Sequence, residues 1–253
     1  MEKRCLWCLE SEPNVTFLKK AHTIPKSLGG QNFNQNICDD CNEFFGNRKN
    51  SFTSIEEALK ETFNITRQRI LLANNPKRKV GPFKSKYFDI KDRNGKKRLI
   101  IKSSFRFDSK FQTELCRSFK RGLYKMFFEE FNRQKGTGYE NKYDIIRKFS
   151  RYNEGDLPVY YFIRSMPVML LKANEGETPI LFFERMNYLY NNDSFAEIEF
   201  LGHVFGFPIT QFEKEDLIKY QRKSFEVKEK FFRNCIKIEY MTDVDFTLQI
   251  MND

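Results

Sequence analysis

Apolar side chains recur at every fourth position from Phe111 through Leu115, Phe119, Leu123, Phe127 and Phe131. This spacing lays one apolar stripe along a long helix, and Gly136 is a natural stop for it. A Phe stripe of this kind reads as core. Upstream, Thr53 with Glu56 and Ser54 with Glu57 form two overlapping capping boxes, which start a helix running to about Phe63. Asn74-Asn75-Pro76 breaks the chain. Asn94-Gly95, between segments 87–93 and 96–107, predicts a two-residue hairpin turn. Residues 144–149 read as another short helix. The composition then favours strands at 158–164, 167–172, 179–184, 195–201 and 204–209, with a turn at Glu175-Gly176. A helix over 214–232 and a strand over 235–241 complete the pattern.

The first fifty residues differ: they lack periodicity and are rich in Cys, Asn and Gly. Segment 19–25 reads as extended, Leu28-Gly29-Gly30 as a turn, and 33–37 as the returning strand. A short helix begins at Asp39 and stops near Gly46, giving a β-β-α order. So small a unit cannot build its own core and calls for a metal to hold it. The expected class is α+β: this small unit, then a larger mixed α+β domain with antiparallel hairpins. The expected division is 1–63, 64–107 and 108–253.

Composition narrows the chemistry. With 253 residues, 40% of them hydrophobic and 28 of them Phe, a sizeable core is within reach. No apolar run approaches a membrane span, and the opening Met-Glu-Lys-Arg-Cys has no apolar leader, so the chain reads as soluble and cytoplasmic, with no membrane partner. The formal charge of +10 is local: residues 67–102 hold thirteen Lys or Arg against two Asp. Such a block is either a polyanion-binding surface or a solvated charged hairpin. As candidate phosphate contacts, Lys77, Arg78, Lys79, Lys96, Lys97 and Arg98 stand foremost.

Four of the six cysteines form two Cys-x-x-Cys pairs, Cys5 with Cys8 and Cys38 with Cys41. In an intracellular chain these argue for metal or redox chemistry over disulfides, and four thiolates suit tetrahedral zinc. Such a site is coordinatively closed and structural. Cys116 and Cys235 stand alone and read as inert thiols. The 29 residues between Cys8 and Cys38 exceed a zinc-ribbon gap, and this insert carries His22. The other histidine, His203, sits between two strand segments beside Gly202 and reads as a surface turn residue.

The stretch from Ala21-His22-Thr23-Ile24-Pro25 through Leu28-Gly29-Gly30, then Asn36-Ile37-Cys38-Asp39-Asp40-Cys41-Asn42 and Phe45-Gly46, resembles the HNH, or ββα-metal, endonuclease family in its subtype with two zinc-binding Cys-x-x-Cys pairs. The resemblance covers about residues 5 to 50, a fifth of the chain. It implies a small zinc-stapled module that cleaves nucleic acid phosphodiesters and leaves 5′-phosphate and 3′-hydroxyl ends. By resemblance His22 matches the general base. Asn36 matches the middle Asn that ties the hairpin together, and Asn42 matches the last position, which helps hold a catalytic Mg²⁺ or Mn²⁺ beside the structural Zn²⁺. The chemistry agrees, since cleaving an anionic ester needs a water proton acceptor and a cation on the phosphate.

One position departs from the family. Many members carry an acid or a His immediately before the catalytic His, as a second metal ligand, and this chain has Ala21. Three explanations stay open: another ligand, an ion held through water and substrate oxygens with Asn42 as anchor, or a weakened nuclease. Asp39 shares a helix face with Asn42 and is a candidate substitute, although a helix N-cap is its plainer reading.

Three functions therefore compete: a DNA endonuclease (RNA not excluded), a zinc-containing nucleic-acid-binding module with weak or no catalysis, and a protein-interaction scaffold. Nucleases of this kind occur in restriction, mobile elements and phage defence. The larger C-terminal part has no motif with a chemical reading. Substrate recognition, dimerisation and a protein partner are its candidate roles.

Overall fold

In a computed structural model of the chain, residues 3–48, 53–74, 83–93, 96–166, 174–185 and 187–248 are described. The fold is α+β. Strands β1 (Ala21–His22) and β2 (Phe33–Asn34) pair antiparallel, and α1 (Asp39–Gly46) follows. Next come α2 (Ile55–Asn74), the hairpin β3 (Phe88–Arg93) with β4 (Lys96–Ile101), α3 (Ser109–Lys135) and the short α4 (Asp144–Ile146), which continues as a π-turn over Arg147–Arg151. The last elements are β5 (Tyr160–Arg164), β6 (Phe195–Phe200), β7 (His203–Pro208), α5 (Lys214–Lys228) and β8 (Phe232–Lys237). Four of these strands make one antiparallel sheet in the order β6-β7-β5-β8.

Helix α3 is the spine. The Asp108 side chain caps its start by accepting from the Phe111 amide at 2.9 Å, and Gly136, at φ 73°, ends it in the left-handed region. The fourfold stripe is buried as expected, with only Phe131 left partly exposed. Phe119, Tyr124 and Phe127 pack on Phe205 and Phe207 of the C-terminal sheet. Phe128 takes the edge of Trp7, which also meets Phe45 of α1. A third face lies against α2. There Gly122 admits Leu59, whose Cγ would stand 2.6 Å from any added Cβ. Trp7, Phe45, Phe63, Phe119 and Phe205 thus share one continuous core.

Several segments depart from the sequence pattern. Helix α2 does not stop near Phe63 but continues to Asn74, because Thr66, Ile70 and Leu71 keep its inner face buried. The 179–184 segment forms no strand, only a bridge from Phe182 to Glu199. Side chains finish that edge of β6 instead: Asn191 accepts from the Glu197 amide and donates to the Phe183 carbonyl, both at 2.7 Å. The last strand begins earlier, at Phe232, where it pairs with Arg164, and a 3₁₀ turn occupies Met241–Asp243. Helix α5 correspondingly ends at Lys228, whose buried ammonium pairs with Glu197. The 167–172 segment, the Asn94-Gly95 turn and Lys77, Arg78 and Lys79 lie outside the described residues.

His203 is corrected outright. It is fully buried at the start of β7, with Nε2 2.9 Å from the Thr66 hydroxyl and Nδ1 3.2 Å from the Tyr161 hydroxyl. Pairing β7 with both β6 and β5 turns this position inward against α2, which no local signal announces. Burial drives its pKa down to about 3, so the imidazole stays neutral.

Candidate metal centre and active site

Two knuckles bring four sulfurs together. The first is a tight turn in which the Cys5 amide donates to the Glu10 carbonyl at 2.7 Å and the Leu9 amide to the Cys5 carbonyl at 3.0 Å. The second stands at the start of α1, where Cys38 is the N-cap. The sulfurs of Cys5, Cys8, Cys38 and Cys41 all lie within 4.8 Å of one another, and none is in a disulfide. Zinc–thiolate bonds of about 2.3 Å in a tetrahedron need sulfurs about 3.8 Å apart. The Cys8 to Cys38 separation is 3.8 Å.

A hydrogen bond from Cys41 holds the Cys5 thiol down to about 5, while burial pushes Cys38 up to about 12, and Cys8 is also raised. Cys41 is raised as well, chiefly as the donor to Cys5. Four sulfur donors within reach of one centre fit tetrahedral zinc, which would hold them as thiolates. Negative charge on the cluster meets the Cys38 amide, 3.4 Å from the Cys5 sulfur, and Arg151, whose Nε lies 3.3 Å from the Cys41 sulfur. Cys116 and Cys235 take no part, and burial raises both to about 12.

Between the knuckles, β1 and β2 present His22. The registers Ala21 to Asn34 and His22 to Phe33 leave Ala21 buried and His22 half-buried. Gly30 closes the loop where any Cβ would stand 1.9 Å from the Ile24 carbonyl oxygen. From α3, Lys125 Nζ donates to the His22 carbonyl at 2.7 Å, so the strand is strapped to the spine. Asn34 adds a second strap: its amide donates to the Glu129 carbonyl at 3.1 Å, and its oxygen accepts from the Asn36 amide at 2.9 Å. The buried carboxamide that ties the hairpin is therefore Asn34. Asn36 acts here through its backbone, whose carbonyl accepts from the Leu6 amide at 2.8 Å and joins the hairpin to the first knuckle.

Neither ring nitrogen of His22 has a protein hydrogen-bond partner among the described residues, and Nδ1 is sealed from solvent. An orphaned polar atom at such a place fits a group supplied from outside. Burial, then the charges of Lys26 and Lys125, hold the His22 pKa below the usual histidine value, against an opposing pull from Glu56. The ring is thus neutral near pH 7, the form in which it accepts a proton.

Asn42 sits one turn into α1, with its amide on the Cys38 carbonyl at 2.9 Å. Its half-buried side chain has no hydrogen bond among the described residues. Asp39, weighed above as N-cap or metal ligand, is not the N-cap, a place held by Cys38. Its carboxylate accepts from the Thr16 hydroxyl at 2.5 Å, the Leu18 amide at 3.1 Å and the Lys19 amide at 2.7 Å, which fixes the approach to β1.

Glu56 had shown itself in the sequence only as a capping residue. In the fold, α2 carries its carboxylate to the site: Oε1 lies 3.2 Å from Lys125 Nζ, and Oε2 lies 4.0 Å from the Cβ position of Gly46, one turn beyond Asn42. The cations whose charge reaches His22 are Lys26, Lys125 and Lys20, and Lys20 also stands over the exposed ring of Phe33 at 5.2 Å. Of the basic block, Lys96, Lys97 and Arg98 fall on β4, with Arg98 exposed.

Residues 5–55 match the profile of a family described as HNH endonuclease. No curated protein and no solved structure gives a significant match. Among the described residues no helix is long and apolar enough to cross a membrane. The matched segment begins at the first cysteine of the sulfur cluster, spans the His22 hairpin and ends at the start of α2, so the likeness to HNH endonucleases falls on the candidate site itself.

Proposed function

We propose that the chain is a metal-dependent endonuclease that hydrolyses phosphodiester bonds, with DNA as substrate. Zn²⁺ on Cys5, Cys8, Cys38 and Cys41 would hold the module, and Mg²⁺ or Mn²⁺ would take the Asn42 side-chain oxygen as one ligand. That ion supplies charge neutralisation on the phosphate and the leaving oxygen. His22 accepts the proton of the attacking water. Lys125 and Asn34 hold the strand that carries it, and Lys20 and Lys26 draw the phosphate toward the ring. The observation that carries this reading is the neutral, half-buried His22 ring with an orphaned Nδ1 inside a segment of HNH sequence. Service in phage defence or in a mobile element fits such an activity.

The test is cleavage of supercoiled plasmid with Mg²⁺ or Mn²⁺ by wild-type and His22→Ala protein at equal zinc content. Nicking or linearisation by the wild type, lowered at least ~10²-fold in the variant, is expected for a lost general base. Equal behaviour of the two across several metals would refute the reading. Ala21 favours a second reading, a zinc-containing module that binds nucleic acid without turnover. Salt-sensitive binding with no cleavage would then be the outcome.

A further inference from the structure

The nuclease reading leaves the cation short of an acid, because Ala21 stands where many family members carry one. We infer that Glu56 supplies it: its carboxylate, delivered by α2, is an oxygen ligand of the divalent cation opposite Asn42. This inference rests on the proposed activity and specifies its metal site.

Three observations converge on Glu56. First, its two oxygens face different groups. Oε1 pairs with Lys125 at 3.2 Å, while Oε2 points toward α1 and has no other partner among the described residues. Second, the place where Oε2 approaches α1 is Gly46, and Asn42 and Gly46 are four residues apart on one helix face. Third, Glu56 lies near enough to His22 to act on its charge, and Lys125 bonds both Glu56 and the His22 carbonyl. Lys125 thus ties the Glu56 carboxylate to the strand that carries His22, and Gly46 brings it beside the helix that carries Asn42.

The pairing with Lys125 is compatible with ligation. Lys125 is buried and also faces Glu129 at 3.4 Å, so it has a second anion when Glu56 shares its charge with a cation. It fixes Oε1 and leaves Oε2 as a single hard oxygen donor, the type that Mg²⁺ and Mn²⁺ prefer alongside water and phosphate oxygens. Glu43, also on α1, is exposed and paired at the surface with Lys19, which makes it a fair control.

The experiment is a titration of Mn²⁺ into zinc-loaded full-length protein without nucleic acid, followed by loss of the free-ion paramagnetic resonance signal. Wild type and Glu43→Gln are expected to bind alike, and Glu56→Gln and Asn42→Ala each to bind at least tenfold more weakly. Glu56→Asp keeps a charge for Lys125 but withdraws the oxygen by one methylene. It is expected to melt like the wild type and still to lose Mn²⁺ affinity, which separates ligation from any loss of fold. Wild-type affinity in both Glu56 variants, with loss in Asn42→Ala, would overturn the role of Glu56 and leave the nuclease reading standing. Absence of Mn²⁺ binding by the wild type would overturn both.

Discussion

Lys125→Met is expected to cost about 3–5 kcal/mol of stability, the usual consequence of removing one partner from a buried ion pair. Lys125 has 1% of its side chain exposed, and its ammonium faces Glu56 at 3.2 Å, Glu129 at 3.4 Å and the His22 carbonyl at 2.7 Å. Methionine is close to it in length and leaves little cavity, so the loss is electrostatic. Glu129 has no exposure at all and would keep only the Trp7 indole, at 3.0 Å, as a side-chain donor. Burial already pushes the Glu129 carboxyl up to about 7. Above the unfolded value near 4.5, the folded state holds a proton that the unfolded chain has lost, so this group's contribution falls as pH rises. Without Lys125 the folded pKa climbs further. The deficit should therefore stay level below about pH 7, where Glu129 is protonated in both folded proteins, and deepen above it at no more than about 1.4 kcal/mol per unit. Adding Glu129→Gln removes the stranded charge and keeps an oxygen for Trp7, so the double variant should recover to within about 1–2 kcal/mol of wild type. Urea unfolding followed by fluorescence of Trp7, the chain's single tryptophan, measures all three proteins at the site itself. A single variant within about 1 kcal/mol of wild type, or a double variant no better than the single, would refute this account of the spine.

Zinc should be present at one ion per chain, and Cys38→Ser or a chelator should remove it and lower the melting temperature by more than about 10 °C, read by metal analysis and a thermal scan. His203, held at about 3 against 6.5 when unfolded, should make the protein lose stability as pH falls from 6.5 toward 3. Its share is at most about 5 kcal/mol, and a flatter pH profile for His203→Gln checks it. Neutralising Lys96, Lys97 and Arg98 together should flatten the salt dependence of DNA binding by up to about 0.9 in slope per lost phosphate contact. Lys20→Ala with Lys26→Ala should do the same if those residues meet the phosphate beside His22, and unchanged slopes would remove either surface from the interface.

Much of the candidate site could be read locally. The two Cys-x-x-Cys pairs, the β-β-α order around Leu28-Gly29-Gly30 and the pairing of β3 with β4 each depend on residues close in sequence, and they fold as their spacing implies. The Phe stripe from Phe111 to Phe131 likewise announces α3, because helical periodicity is a property of one segment. The partners of that helix are another matter. Lys125 reaches His22, Trp7 reaches Glu129 and Thr66 reaches His203 across separations of 103, 122 and 137 residues. Glu56 looked like a helix cap because capping is all its neighbours in sequence can reveal, and His203 looked exposed because a turn beside glycine usually is. Asn34 and Asn36 are two residues apart, and only the pairing of β2 with β1 decided which carboxamide turned inward. Local sequence was enough to mark most helices and hairpins and to join four thiols and an imidazole in one module, since those follow from short-range sterics and ligand chemistry. Tertiary packing alone decided which charges are buried, which carboxylate acts on the charge of the imidazole and which of its nitrogens is sealed from solvent, because burial and field come from atoms that the chain brings in from far away.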